Sequence, residues 1–115
     1  MNRGDLYWVD LTHRKGSEQR GKRPVLILSH NAFNTVPNWN SVIVVPLTTS
    51  PKALKGPTAV PVPKLKTGLP TDSIALCHQM TTIDRARLED RIGALEPNAL
   101  QAVERGILLA MGFSL

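Results

Sequence analysis

Residues 16–24, GSEQRGKRP, gather the side chains of this chain that are best suited to bind an anion. A serine, a glutamate, a glutamine and three cations stand between two glycines and a proline. The proline opens the apolar run PVLILS, so Arg23 lies where a loop becomes a rigid strand. Functional residues favour such positions, because the loop gives access and the strand fixes the geometry. Arg23 is therefore the first candidate for a functional residue.

The charges along the chain predict a polyanionic partner. There are 14 lysines and arginines against nine aspartates and glutamates, which gives a net charge of +5. Residues 19–71 contain no carboxylate but seven lysines and arginines. Each cation that meets a phosphate releases condensed counterions, so this stretch favours nucleic acid or an acidic peptide. A high pI alone would also suit a basic protein that is merely soluble.

Common catalytic and metal-binding motifs are absent from the sequence. There is no glycine-rich phosphate loop, HExxH pair, paired-cysteine zinc motif or nucleophile elbow, although a dispersed serine–histidine–acid triad stays open. The single cysteine, Cys77, cannot form an intramolecular disulfide or a multi-cysteine zinc site. We expect neither a metal nor a cofactor.

The segments around Arg23 predict mostly strands. Residues 5–11, the run after Pro24 and the run SVIVVPL at 41–47 are rich in β-formers, and the Pro24 run suits a strand buried on both faces. Pro46 predicts an edge, a bulge or an abrupt end of its strand. Residues 48–70 contain five prolines and predict a loop with an irregular edge strand at TAVPVP, and DSIALCHQ and RLEDRIGAL predict further strands.

One convincing helix closes the chain, beginning near Pro97. Its apolar residues fall on one face and are predicted to be core: Leu100, Val103, Ile107, Leu108 and Met111. With about five short strands, residues 1–115 predict a single, mainly β domain, a curled antiparallel sheet or open barrel closed by a C-terminal helix.

Several segments resemble the MazF/PemK toxins of bacterial type II toxin–antitoxin systems, which are sequence-selective endoribonucleases. RGDLYWVDL resembles the first strand of the family, and GSEQRGKRPVLILS resembles its GxEQxGxRP loop and second strand. VIVVPLTTS resembles the strand that ends in a threonine-containing turn, and HQMTTIDRARL resembles the segment around DQ and TID. The segments occur in the order and spacing of the family over nearly the whole chain.

The resemblance implies an SH3-like open β-barrel, a homodimer and a cognate antitoxin with an acidic C-terminal segment. It also implies metal-independent cutting of single-stranded RNA, with the 2′-hydroxyl as nucleophile and a 2′,3′-cyclic phosphate and a 5′-hydroxyl as products. Carried over by position, the basic catalytic residue falls on Arg23 and the catalytic threonine on Thr48. Glu18, Gln19 and Gln79 fall on polar positions that line the RNA groove. The predicted RNA-contacting residues are Ser17, Gln19, Arg20, Lys22, Trp39, Thr49, Lys52, Lys55 and Gln79.

The residue types fit this chemistry, and each also has a structural alternative. A guanidinium can hold two phosphoryl oxygens at once, and a hydroxyl such as that of Thr48 can add a hydrogen bond. An arginine before proline is, however, often a solvated charge, and a Thr-Thr-Ser turn is often only capped by its own side chains. Because an arginine with a pKa of about 12 is a poor acid or base, Glu18 is a second candidate for the proton transfers.

This chain departs from the family pattern at two positions. His78 stands where family members usually carry an acid, and Leu76 stands where some have an arginine. A histidine can be acid or base near neutral pH, so His78 is a third candidate proton carrier. The alternative is a packing or hydrogen-bonding role, and His13 and His30 are assigned loop and strand-end roles.

Three aromatic residues are candidate stacking surfaces for unpaired bases: Trp8, Phe33 and Trp39. We favour a core or dimer contact for Trp8 and an RNA contact for Trp39, which lies in a polar loop.

A second functional class remains open from the sequence. The same barrel can serve as a non-enzymatic module that binds nucleic acid or an antitoxin, or as a toxin directed at topoisomerase. The joint presence of Arg23 and Thr48 favours the enzyme. No apolar run reaches the roughly 20 residues that span a bilayer, and we see no secretory signal, so a cytoplasmic location without membrane contact is expected.

Overall fold

The computed structural model describes residues 1–10 and 21–114. The residues predicted in the first loop lie outside the described residues: His13, Ser17, Glu18, Gln19 and Arg20. Strands and helices follow in the order β1 (Asp5–Asp10), β2 (Lys22–Ile27), α1 (Asn31–Asn34), β3 (Ser41–Thr48), β4 (Ala59–Val62), β5 (Ser73–Leu76), β6 (Thr81–Asp84), β7 (Leu88–Ala94) and α2 (Pro97–Ala110). Single 3-10 turns occupy Pro51–Ala53, Cys77–Gln79 and Arg85–Arg87.

The described strands form one antiparallel sheet in the order β4-β5-β3-β2-β1-β7, with β6 also paired to β3. The mainly β fold with a C-terminal helix is therefore confirmed, with seven described strands instead of about five. Strand β6 is distinct from β5 because the turn Cys77–Gln79 lies between them. None of the described helices has the length and apolar character needed to cross a bilayer.

Strand β3 is the centre of the sheet, so an edge, one of the three alternatives predicted at Pro46, is wrong. One side of β3 pairs with β2, where Pro46 lies opposite Val25. The other side pairs first with β6, over residues 41–44, and then with β5, over residues 47–48. Pro46 falls between these two partners, where a missing N–H costs the ladder little. Pro61, by contrast, lies in β4 at the end of the sheet, as predicted for an edge strand.

Two apolar clusters lie on opposite faces of β1, β2 and β3. The larger one packs Leu6, Leu26 and Val45 against α2, and the smaller one contains Val9 and Val25 with residues of β3 and β6. Because neighbouring residues of β2 belong to different clusters, the predicted strand buried on both faces is confirmed.

Helix α2 packs on the larger cluster, although its apolar face differs in part from the predicted stripe. Val103 and Ile107 are buried as predicted, but Met111 is 52% exposed because the helix ends at Ala110. Gly106 is buried and was not among the predicted core residues. A Cβ there would lie 2.7 Å from Cys77 Sγ, so the small residue lets the helix approach the sheet.

The segment between β4 and β5 contacts the backbone of β7 and so joins the two ends of the sheet, whose strands do not pair there. A Cβ on Gly93 would collide with the carbonyl oxygen of Thr67, and one on Gly68 would collide with that of Ile92. Two glycines therefore allow two backbones to approach closer than any side chain permits. This contact joins the β4–β5 connection to the opposite end of the strand order and curls the sheet.

Gly93→Ala tests this closure. We expect a loss of at least about 3 kcal/mol in the free energy of unfolding, because one of the two backbones must move to admit the methyl group. Gly56→Ala is the matched control, since Gly56 has a φ of 74° but a Cβ added there would meet nothing within 4 Å. It should cost only about 1 kcal/mol of backbone strain. Urea unfolding followed by circular dichroism measures both, and equal losses would show that the closure contributes nothing.

Candidate active site

The pairing of β2 with β3 brings Arg23 and Thr48 together. The paired residues are Val25 with Pro46, Leu26 with Val45 and Ile27 with Val44. The described β2–β3 pairing ends at Val25 and Pro46, and beyond it Arg23 and Thr48 both line one cleft. The two side chains that carry the predicted chemistry thus lie at the neighbouring ends of β2 and β3.

A surface cleft of about 410 Å³ lies where β2 begins and β3 ends. Its lining combines cations, hydroxyls and an apolar floor: Trp8, Lys22, Arg23, Pro24, Leu47, Thr48, Thr49, Ser50, Pro70 and Ser73. The volume lies within the range of about 300–1,000 Å³ that is usual for small-molecule sites. The described lining contains no carboxylate, so this cleft favours an anion with an apolar part.

Thr48 is held in the geometry of a side-chain-capped turn, and this leaves its proton available. The hydroxyl oxygen accepts a hydrogen bond from the backbone N–H of Ser50 at 3.2 Å. That bond fixes the side chain and occupies a lone pair of the oxygen, not its hydrogen. The structural alternative and the functional one are therefore compatible: the turn orients a hydroxyl that can still donate into the cleft.

Lys22 and Arg23 are adjacent in sequence but differ in their ion pairing. The ammonium of Lys22 lies 2.8 Å from the carboxylate of Glu89, which reaches across β1 from β7. This hydrogen bond and the attraction of the Glu89 charge raise the pKa of Lys22, so it stays protonated throughout the physiological range. Arg23 is half-buried and forms no ion pair with any carboxylate of the described residues. Of these two cations, Arg23 is the one free to receive a phosphate.

Local sequence explains how the two cations are presented. Gly21, just before β2, has a φ of 86°, a conformation that other residues rarely adopt. Pro24 needs no ladder hydrogen, and it packs next to Trp8 of β1, its cross-strand partner. The chain therefore enters the strand in a fixed direction.

Of the other predicted site residues that the structure describes, only some line the cleft. Thr49 is one of them. Lys52 belongs to the exposed turn that follows Ser50, and Lys55 is exposed shortly after it. His78 and Gln79 lie together on the exposed turn between β5 and β6 and do not line the cleft.

The remaining aromatic and histidine predictions have distinct structural surroundings. Trp39 is 45% exposed and packs on Phe33 with ring centroids 4.8 Å apart, outside the cleft lining. His30 accepts a hydrogen bond from the backbone N–H of Ala32 at 2.9 Å and caps α1, so it serves the helix start and not the end of β2 at Ile27.

Sequence reasoning missed several residues of the cleft. Trp8 was assigned to a core or dimer contact, and Ser50, Pro70 and Ser73 were not singled out at all. Alternation along β1 was the available signal for Trp8: it shares a strand face with Leu6, but it lies near the strand end, where that face opens to solvent. Ser73 comes close only through the pairing of β5 with β3, which the sequence does not reveal.

Cys77 can be excluded from the cleft chemistry. Its side chain is buried, and its Sγ lies 3.6 Å from the carbonyl oxygen of Val103 in α2. Burial raises the pKa of this thiol to about 11, so almost none is thiolate near neutral pH. The residue fills core space beneath the helix.

Fold and cleft together define a class: a small curled β-sheet protein, closed by one helix, with a basic cleft of nucleotide size. Residues 2–111 match the family described as PemK-like, MazF-like toxin of type II toxin–antitoxin system. The Endoribonuclease MazF of Staphylococcus saprophyticus is 36% identical over 112 residues, which cover 97% of this chain and 92% of that protein. The chain belongs to the MazF/PemK toxin family.

Solved structures of similar proteins agree with this assignment. MazF of Deinococcus radiodurans superposes with a TM-score of 0.78 at 26% identity, covering 98% of this chain and 97% of that one. An endoribonuclease from a mycobacterial species, solved in complex with its cognate antitoxin, superposes with a TM-score of 0.75 at 26% identity. That match covers 100% of this chain and 96% of the other.

Glu89→Gln tests whether the Lys22–Glu89 pair limits anion binding. Releasing Lys22 should tighten binding of a single-stranded oligodeoxynucleotide about two- to fivefold at moderate salt, the scale of an exposed ion pair. The slope of log affinity against log salt should steepen by about 0.7, one phosphate contact on a single strand. Glu96→Gln is the matched control, because it removes the same charge from the Lys66 pair outside the cleft. Equal effects of the two variants in a salt titration would exclude a local role for Glu89.

Proposed function

We propose that this protein is a sequence-selective, metal-independent endoribonuclease that cuts single-stranded RNA as the toxin of a type II toxin–antitoxin system. The supporting observation is the juxtaposition of Arg23 and Thr48 in a cleft that contains two cations and several hydroxyls. Such donors suit the non-bridging oxygens of a phosphodiester. The family and the similarity to Endoribonuclease MazF support the same conclusion.

The proposed reaction uses the ribose 2′-hydroxyl as nucleophile. Its oxygen forms a bond to phosphorus while the bond from phosphorus to the 5′-oxygen breaks, which leaves a 2′,3′-cyclic phosphate and a 5′-hydroxyl. Arg23 holds the non-bridging oxygens with two N–H groups, and the Thr48 hydroxyl donates to one of them. Negative charge grows on these oxygens in the transition state, so fixed donors there lower the barrier.

Two protons must also move, one from the 2′-hydroxyl and one to the departing 5′-oxygen. Arginine is a weak proton carrier at neutral pH, and the described lining contains no histidine or carboxylate. Glu18, which precedes β2 in the sequence and lies outside the described residues, is our candidate for the base. His78 is the weaker candidate, because it lies on a turn outside the cleft lining.

We propose that a cognate antitoxin inhibits the protein by placing an acidic C-terminal segment over the cleft. The carboxylates of that segment would compete with RNA for Lys22 and Arg23, which line the cleft. Both cations belong to residues 19–71, which contain no acidic residue. The protein solved with its cognate antitoxin is a close structural relative. Because the substrate is cellular RNA, we assign the protein to the cytoplasm.

We further propose that two copies associate through the apolar groove between α2 and Ile43 of β3. The groove has a volume of about 380 Å³ and is lined by Arg3, Leu28, Ile43, Met80, Glu104, Ile107 and Leu108. A two-fold dimer presents the same patch on both subunits, so the patch must complement itself. An apolar centre flanked by the mutually paired Arg3 and Glu104, 2.6 Å apart, meets this requirement. An acidic peptide would gain no net charge attraction there.

The activity is tested with long single-stranded RNA in the presence of EDTA. The parent protein should produce discrete fragments, and Arg23→Ala should cut at least about 100-fold more slowly, the usual scale for losing one donor to a developing oxyanion. Arg105→Ala is the matched control, since Arg105 is an exposed arginine of α2 outside the cleft. It should cut at the parental rate.

Other outcomes of this experiment separate the alternatives. Intact RNA with the parent protein, together with retained RNA binding, would replace the enzyme by a binding module. Intact RNA without binding, with inhibition of topoisomerase, would support the toxin class that acts on that enzyme. Equal loss in Arg23→Ala and Arg105→Ala would show a general effect of charge and remove Arg23 from the chemistry.

The dimer surface is tested by Ile43→Asp, which places a carboxylate on a side chain that is 41% exposed in the groove. The dissociation constant of the dimer should rise at least about 30-fold, as expected for a residue at the centre of an interface. Leu65→Asp is the control, because Leu65 is 76% exposed and outside the groove. Light scattering after size-exclusion chromatography measures both variants. A parental monomer, or dimers of Ile43→Asp at the parental affinity, would contradict the proposal.

A further inference from the structure

Trp8, Pro24 and Leu47 form one continuous row across three strands at the floor of the cleft. Trp8 is the cross-strand partner of Pro24 in the β1–β2 pair. The β2–β3 register, continued by one residue, places Pro24 opposite Leu47. All three residues line the cleft, so the row presents an apolar surface to whatever occupies it.

The next row along the same strands carries the phosphate-binding groups. Val9 pairs with Arg23 across β1 and β2, and the continued register adds Thr48 of β3. Adjacent residues of a strand are about 3.3 Å apart and point to opposite faces of the sheet. The cleft lies at the strand ends, beyond the described β2–β3 pairing, and takes side chains from both rows. Its polar and apolar lining residues therefore belong to one site.

A nucleotide has the same arrangement of charge and apolar surface, because a flat base lies next to a charged phosphodiester. We propose that Trp8, supported by Pro24 and Leu47, is the stacking surface for the base adjoining the phosphate that Arg23 and Thr48 hold. The inference rests on the proposed function of the cleft and adds a binding residue to it. Stacking on an indole accepts every base, so Trp8 contributes affinity and placement of the scissile phosphate, while selection between bases belongs to other groups.

The other exposed aromatic pair is less suited to this role. Trp39 and Phe33 pack on each other with a centroid separation of 4.8 Å, so part of each ring is already covered. Neither residue lines the cleft with the two phosphate-binding groups. The structure therefore favours Trp8 over Trp39 as the residue that contacts the reacting nucleotide.

The chain contains two tryptophans, which allows each to be observed alone by fluorescence. Trp39→Phe leaves Trp8 as the only indole, and Trp8→Phe leaves Trp39. The probe is a mixed-sequence 2′-O-methyl oligoribonucleotide, which cannot be cut because its nucleophile is blocked. We expect saturable quenching in Trp39→Phe and none in Trp8→Phe.

An oligomer of abasic sugar phosphates of the same length distinguishes stacking from simple occupancy of the cleft. It should bind Trp39→Phe through its phosphates but leave the Trp8 emission unquenched. Quenching of equal size by the abasic and base-bearing oligomers would overturn the proposal, as would quenching confined to Trp39.

Cleavage rates give an independent measurement. Trp8→Ala should lower kcat/KM about 5- to 150-fold, the effect of losing one base stack, whereas Trp8→Phe, which keeps a flat aromatic ring, and Trp39→Ala should each lower it less. If Trp8→Ala does not fold, the fluorescence measurements still decide, because Trp39→Phe leaves Trp8 intact. A parent that cuts RNA without quenching would refute the stacking surface alone. A parent that shows base-dependent quenching without cutting would refute the nuclease alone.

Discussion

The register between β2 and β3 is the constraint on which the site depends. It brings the ends of β2 and β3, which carry Arg23 and Thr48, to one cleft, although α1 and the Trp39 loop separate the two residues in the sequence. A slip of one residue would turn every side chain of one strand to the other face. Such a slip would expose Leu26 and Val45, both completely buried, so the packing that stabilises the fold also positions the two proposed site residues.

Other contacts of the fold cover the remaining parts of the sheet and leave the end that carries Arg23 and Thr48 accessible. Helix α2 covers the larger apolar cluster and needs Gly106 to come close enough to Cys77. The glycine contact between the β4–β5 connection and β7 curls the sheet, while the change of partners at Pro46 lets β5 and β6 share the same side of β3. Side chains at the ends of β2 and β3 therefore remain accessible on a rigid base.

Local sequence patterns predicted the strands and helices of this structure better than the contacts between them. Apolar runs identified β1, β2 and β3, and Pro97 marked the start of α2. Pro46 was misjudged because the cost of its missing N–H depends on which strand lies beside it, and pairing is not visible in a single chain segment. The same reason hid the place of Ser73 and of Trp8 in the cleft lining, since both follow from cross-strand neighbours. Arg23 and Thr48 were predicted from the resemblance to a family, and both line this cleft.

The two cations of the cleft differ in their ion pairing within the described part of the chain: Lys22 has a carboxylate partner and Arg23 does not. Lys22 forms an ion pair with Glu89. Because this pair is exposed, it contributes little free energy, so little is lost if Lys22 binds a phosphate instead. Arg23 has no such partner among the described residues, so it can give both of its parallel N–H groups to one phosphodiester. Under the proposed function, Lys22 then acts as a general attraction that salt weakens, and Arg23 as the group that fixes orientation. Affinity for RNA and the rate of cutting should therefore respond separately to changes at these two neighbouring residues.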